Sequence, residues 1–181
     1  MESWAEGTEK TLIRILEPAK DAGIATLKVD DNMWNYLPKV DRTMKVPAGM
    51  MGGNWMGSHF SNDDLVKENR LSEDFDAEFT QRPADNEAGV YVISLTPKPD
   101  TPVVWGRIVA HIRPDKMPVK IEYLDEDFEL VRTMSFHDIK DFAGRQAPGI
   151  MRLVPADKPD EVTEITYVTL ADGRRQERRL P

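Results

Sequence analysis

Pro118-Val119-Lys120-Ile121-Glu122-Tyr123-Leu124 runs straight into Asp125-Glu126-Asp127. Val119, Ile121 and Tyr123 alternate with Lys120 and Glu122, a period of two that turns one face of a strand to a core and the other to water. The three acidic residues break that period and read as a turn, with a second strand over 129–140. The same rhythm recurs along the chain. Val40, Arg42, Met44 and Val46 alternate against Asp41, Thr43 and Lys45, and Thr163, Ile165 and Tyr167 do so less cleanly. Turn signals recur at Asp21-Ala22-Gly23, Asp30-Asp31-Asn32 and Asp172-Gly173. Connections this short join antiparallel hairpins, because a parallel crossover needs a longer one.

The predicted strands are 10–17, 23–29, 33–37, 40–46, 73–80, 89–96, 104–113, 118–125, 129–140, 149–155 and 161–170. They imply a mainly β chain with short helices, built as a wide, meandering antiparallel sheet that curls and needs a cover if it does not close. Strands 89–96 and 104–113 are apolar on both faces, so part of the sheet is covered on both sides. The proline-bounded segments 97–102, 114–118 and 155–159 read as loops at sheet edges. No linker, repeat or low-complexity stretch divides 1–181, which reads as one domain ending in a solvated basic tail over 171–181.

The 181 residues carry 24 Lys and Arg against 32 Asp and Glu, a net charge of −8 that repels a phosphate backbone and argues against a nucleic-acid partner. The absence of cysteine removes thiol catalysis, cysteine-based zinc sites, iron–sulfur clusters and disulfides together. No stretch is long and apolar enough to span a bilayer, and the start at Met1-Glu2-Ser3-Trp4 shows no positive region followed by an apolar stretch. Nor does it hold the pattern of a P-loop, a dinucleotide fold or a nucleophile elbow. His59, His111 and His137 are far apart in sequence, and Asp125-Glu126-Asp127 lacks the glycine and distal glutamate of a calcium loop. Neither a catalytic residue, a metal nor a cofactor is therefore expected.

Residues 47–70 break the strand pattern. Pro47-Ala48-Gly49-Met50-Met51-Gly52-Gly53-Asn54-Trp55-Met56-Gly57 mixes large soft side chains with four glycines, a composition that packs yet deforms. Ser61 then caps a short helix predicted over 62–68, with Asp63 and Asp64 in its first turn. Five of the nine methionines and two of the four tryptophans fall between 33 and 56. Flexible thioethers suit an apolar surface that re-packs around variable partners, and the glycines favour that reading over a plain core filling.

Trp34-Asn35-Tyr36-Leu37-Pro38, a following basic strand, and then Met56-Gly57-Ser58-His59-Phe60-Ser61-Asn62-Asp63-Asp64-Leu65 resemble, in order and spacing, two motifs of the LolA-like outer membrane lipoprotein-sorting proteins of Gram-negative bacteria. The resemblance covers about residues 3–170. It implies an open half-barrel of antiparallel strands under a helical or loop lid, an export signal and first helix and strand ahead of Met1, and a periplasmic location. It further implies a non-enzymatic carrier that shields lipoprotein acyl chains or a free lipid. The residues expected to touch ligand are Trp34, Tyr36, Met44, Met50, Met51, Trp55, Met56 and Phe60. An inner-membrane transporter ectodomain or an outer-membrane acceptor would be the protein partner. His59 stands where the family motif is usually acidic. The alternative reading is a periplasmic sensor or accessory domain that binds a protein partner with the same half-barrel.

Overall fold

The computed structural model describes residues 1–7, 9–67, 71–99, 101 and 103–171, so the basic tail beyond 171 lies outside the described residues. The chain forms two compact units, Met1–Phe75 and the part from Asp76 onward.

The first unit is a five-stranded antiparallel meander of β1 (Glu2–Glu6), β2 (Lys10–Arg14), β3 (Ala25–Val29), β4 (Asn32–Leu37) and β5 (Arg42–Lys45), each paired with the next. Asp30 and Asp31 close the β3–β4 hairpin in two residues. Asp30 takes a φ of 52°, the left-handed conformation a tight hairpin demands and aspartate tolerates. Because directly opposed residues share a face, the ladder sorts the side chains into two sets. One face holds the rows Ser3–Ile13–Thr26–Asn35–Met44 and Ala5–Thr11–Lys28–Met33. Ile13, Thr26, Lys28 and Met33 are buried there. The other face holds Trp4–Leu12–Leu27–Trp34–Lys45 and Glu2–Arg14–Ala25–Tyr36–Thr43.

Two single-turn 3-10 segments, Ala48–Met50 and Trp55–Gly57, lead into helix α1 (Asn62–Lys67) and a last turn, α2 (Leu71–Asp74). The predicted cap forms: Ser61 Oγ accepts from the Asp64 amide at 3.1 Å, and the Ser61 amide donates to Asp64 Oδ2 at 2.7 Å. This reciprocal pair satisfies two amides at the helix start.

The second unit is a seven-stranded antiparallel meander of β6 (Phe75–Gln81), β7 (Tyr91–Pro97), β8 (Arg107–Ile112), β9 (Pro118–Leu124), β10 (Leu130–Phe142), β11 (Arg145–Pro155) and β12 (Thr163–Thr166). Asp125-Glu126-Asp127 is the expected solvated turn: Asp125 Oδ1 accepts from the amides of Asp127 at 3.0 Å and Glu129 at 2.9 Å. The fold is thus mainly β, antiparallel and open. Its ladder falls into sheets of five and seven strands, with residues 46–74 between β5 and β6. Each strand read from the sequence has a counterpart. The strand the sequence reading passed over is β1, whose Glu2-Ser3-Trp4-Ala5-Glu6 has too few apolar residues for a period to register.

Candidate functional site

The residues expected to meet a ligand fall in three places in the first unit. Trp34 and Tyr36 alternate out of register with Met33 and Asn35, so both project from the face opposite Thr26. The Lys45 ammonium lies 5.8 Å from the Trp34 ring centre, and Tyr36 donates its hydroxyl to Asp41 Oδ1 at 3.0 Å. That bond, reinforced by the aspartate charge, pushes the Tyr36 phenol above its usual value.

Met44 lies on the Thr26 face, next to Asn35. On that face Trp55 is the anchor: it is buried, and its indole Nε1 donates to Thr26 Oγ1 at 3.0 Å, while Thr26 donates in turn to Asn35 Oδ1 at 2.7 Å. Phe60 is buried beside it in sequence, and its carbonyl receives the Trp55 amide at 2.7 Å. Asn62 ties the segment from the other end, its Nδ2 donating to the carbonyls of Met50 and Gly53, both at 3.1 Å. The glycine-rich stretch, read from sequence as deformable, is therefore held at Trp55 and Asn62. Met50 is 63% exposed, Met56 is exposed and Met51 is half-buried.

The second unit contains a surface that sequence reasoning missed. Cross-strand register aligns Leu95–Ile108–Tyr123–Arg132–Pro155, then Ile93–Ala110–Ile121–Met134–Leu153–Thr163, then Phe136–Met151–Ile165, all on one face. Ile108, Met134 and Leu153 are buried, while Ile93, Ile121, Phe136, Met151 and Ile165 are half-buried. At about 4.8 Å per strand the apolar rows extend roughly 24 Å from β7 to β12. Alternation in 118–124 was the available signal, but only the register shows that five further strands add to the same side.

Gly106 shapes one end of this face. Its amide donates to the Leu124 carbonyl at 3.0 Å, so close to β9 that a side chain there would overlap the Asp125 carbonyl. The preceding Trp105 packs against Tyr123, with ring centres 5.1 Å apart.

The reverse face carries polar groups among Val92, Val109 and Val154. Glu122 accepts from Lys120 Nζ at 2.7 Å and from His111 Nε2 at 2.8 Å. Burial works to raise its pKa, but these two bonds outweigh burial and hold the carboxyl below its usual range. His137 Nε2 lies 2.9 Å from Ser135 Oγ, and Arg152 Nε donates to Glu164 at 2.6 Å. Among the described residues no three histidine or carboxylate groups gather as a metal site.

Similar proteins bear on this architecture. A family model described as an uncharacterized protein matches residues 7–173. No curated protein matches the sequence. A domain from Vibrio parahaemolyticus assigned to outer membrane lipoprotein sorting superimposes with a TM-score of 0.69 at 20% identity, over 86% of this chain and 68% of that one. A LolA superfamily protein from Nitrosomonas europaea gives 0.70 at 19% identity, over 93% and 77%. A protein from Desulfovibrio piger, of a domain family of unknown function, gives 0.72 at 24% identity, over 90% and 73%. The chain belongs to the family of uncharacterized proteins whose model spans 7–173, and its fold is LolA-like.

Proposed function

We propose that this chain is a non-enzymatic periplasmic carrier that binds lipoprotein acyl chains or another lipid in support of outer-membrane lipoprotein sorting. The observation that carries the reading is the apolar face of the seven-stranded sheet, three cross-strand rows of aliphatic, aromatic and thioether side chains. Such a face suits hydrocarbon, since each CH₂ withdrawn from water contributes about 0.8 kcal/mol. The LolA-like fold supports the same reading. One family model spans both units, which favours treating the chain as a single inherited module.

In the first unit the proposed contacts are those named from the sequence. Met44, Met50, Met51 and Met56 offer a separate adaptable surface, Trp34 and Tyr36 an aromatic one, and Trp55 and Phe60 anchor the segment. Partners of the carrier would be a transporter ectodomain and an outer-membrane acceptor. The accessory-domain reading draws on the row Trp4–Leu12–Leu27–Trp34, whose first three members are exposed apolar side chains suited to a protein partner.

The test is binding of a neutral naphthylamine probe to protein purified without detergent, together with native mass spectrometry for co-purified lipid. Replacing Ile121 and Met151 by Gln places amides on the apolar face and is expected to weaken the probe at least tenfold with the β-rich circular dichroism intact. Replacing Met50, Met51 and Met56 together by Gln tests the first unit in the same assay. Protein that is empty and blind to the probe, yet binds a membrane-protein ectodomain, would favour the accessory reading.

A further inference from the structure

The turn between β9 and β10, Asp125-Glu126-Asp127-Phe128-Glu129-Leu130, sets an aromatic side chain among acids. Phe128 is 52% exposed and takes a φ of 63°, a conformation that bulky residues seldom adopt. The frame around it is fixed: the Asp125 amide donates to the Glu129 carbonyl and the Phe128 amide to the Asp125 carbonyl, both at 3.1 Å. The Arg107 guanidinium carbon lies 4.3 Å from the Phe128 ring centre. Gly106 allows this, since its close approach to the Asp125 carbonyl sets the start of β8 against the turn. Arg107 directs its charge to the ring: its Nε is buried without a hydrogen-bond acceptor, and it forms no ion pair among the described residues. Asp125, Glu126, Asp127 and Glu129 are likewise in no ion pair among the described residues, and the last three are exposed. Leu130, 45% exposed, enlarges the apolar area, being opposite Leu124, which is opposite Arg107.

We propose that this turn is a docking element for a partner protein whose surface combines an apolar pocket with a cationic rim. Phe128 and Leu130 enter the pocket, and Glu126, Asp127 and Glu129 meet the cations. An exposed ring is a natural anchor, because it offers a large contact area with few torsions to freeze. Its contact with Arg107 restrains it before binding, so less ordering opposes its burial. The charges select the occupant. Three exposed carboxylates around the ring repel an anionic bilayer and favour lysine and arginine on the partner. Were Arg107 paired with one of them, the charge of the turn would be partly neutralised; its stacking on Phe128 leaves the carboxylates to the partner. The proposal goes beyond the carrier reading and stands without it, since it concerns the turn and not the apolar rows. The net charge of −8 draws cations to any acidic patch, so the diagnostic feature is dependence on Phe128, a neutral residue.

The experiment titrates the intact, isotope-labelled chain with two short synthetic peptides of equal positive charge and follows its amide resonances. One peptide is built of Lys and Leu with the leucines along one helical face, and in the other every Leu is replaced by Ser. The Lys–Leu peptide is expected to bind at least tenfold more tightly, with the largest shifts at the amides of 126–130. Asparagine tolerates the left-handed conformation, so F128N removes the ring without straining the turn, and it should bring the two peptides within threefold of each other. E126Q combined with D127N should weaken both peptides at least threefold and leave their ratio unchanged. If a variant does not fold, the wild-type ratio and the location of the shifts decide. Equal affinity for the two peptides overturns the proposal, as does a leucine preference that survives in folded F128N. Shifts centred on Ile121, Met134 and Phe136 would place the peptide on the apolar face and overturn it too. Sedimentation with phosphatidylglycerol vesicles that F128N abolishes would make a bilayer the occupant and equally overturn it.

Discussion

The sharpest test of the first unit is Thr26→Val. Thr26 is 3% exposed and links two groups: it accepts the Trp55 indole N–H at 3.0 Å and donates to Asn35 Oδ1 at 2.7 Å. Valine has nearly the same shape and suits a strand, so the substitution removes the hydroxyl and little else. What remains is a buried indole donor with no acceptor, which costs about 1–3 kcal/mol, and a half-buried amide oxygen that loses one bond, worth about 1 kcal/mol. Some of that total is offset by the extra apolar surface of valine. A net loss of about 2 kcal/mol is the expectation.

The readout is amide hydrogen exchange at Trp55, Ser58 and Asn62, which donate to the carbonyls of Phe60, Trp55 and Gly53. If Trp55 docking holds the segment closed, a loss of about 2 kcal/mol speeds exchange there roughly thirtyfold. In a W55F background the indole is absent, so T26V should cost only about 1 kcal/mol. The cycle then yields a coupling near 1 kcal/mol. Exchange in T26V that matches wild type, or T26V costs that are equal in both backgrounds, would mean that Trp55 is held by packing alone and the hydroxyl is incidental.

Two further outcomes follow from the second unit. Gly106→Ala forces a side chain against the Asp125 carbonyl and should destabilise the unit by about 2–3 kcal/mol, read as a lower urea midpoint; a midpoint equal to wild type would contradict the close approach. Glu122 has a folded pKa below its ordinary 4.5, so the stability it contributes is complete above pH 4.5 and is lost as pH falls through the lower folded value. The stability gap between wild type and E122Q measured at pH 7 should therefore narrow toward pH 3, and a gap that stays constant would show that Lys120 and His111 do not hold the charge.

How much of this was legible in the sequence depended on what kind of signal each feature leaves. Strand periodicity is local, so 118–124 and 40–46 declared themselves through alternation and β1, with Trp4 its one large apolar side chain, did not. The helix start was legible because the Ser61–Asp64 box is written within four residues. The split into two sheets was not, because pairing partners are set by hydrogen bonds between strands rather than within them. For the same reason, closeness in sequence groups Trp34 and Tyr36 with Trp55. The β3–β4 register sets them on the face away from Thr26, to which Trp55 bonds.

The apolar face of the second unit illustrates the deeper limit. Alternation says that Ile121 and Tyr123 share a side, but it carries no information about which residues of β8, β10 and β11 lie beside them. Arg132 looks unremarkable in Leu130-Val131-Arg132-Thr133-Met134, one charge in a strand that also reaches solvent. Its significance comes from being opposite Tyr123, in register with an apolar row, and next to a Trp105 that only a glycine at 106 can bring near. Each of those relations joins residues from different strands. A methionine cluster draws the eye because it is dense in sequence, whereas a cation set in an apolar face is dense only in space. For a sheet protein of this kind, composition locates the methionine-rich segment, and register locates the cation set in an apolar row.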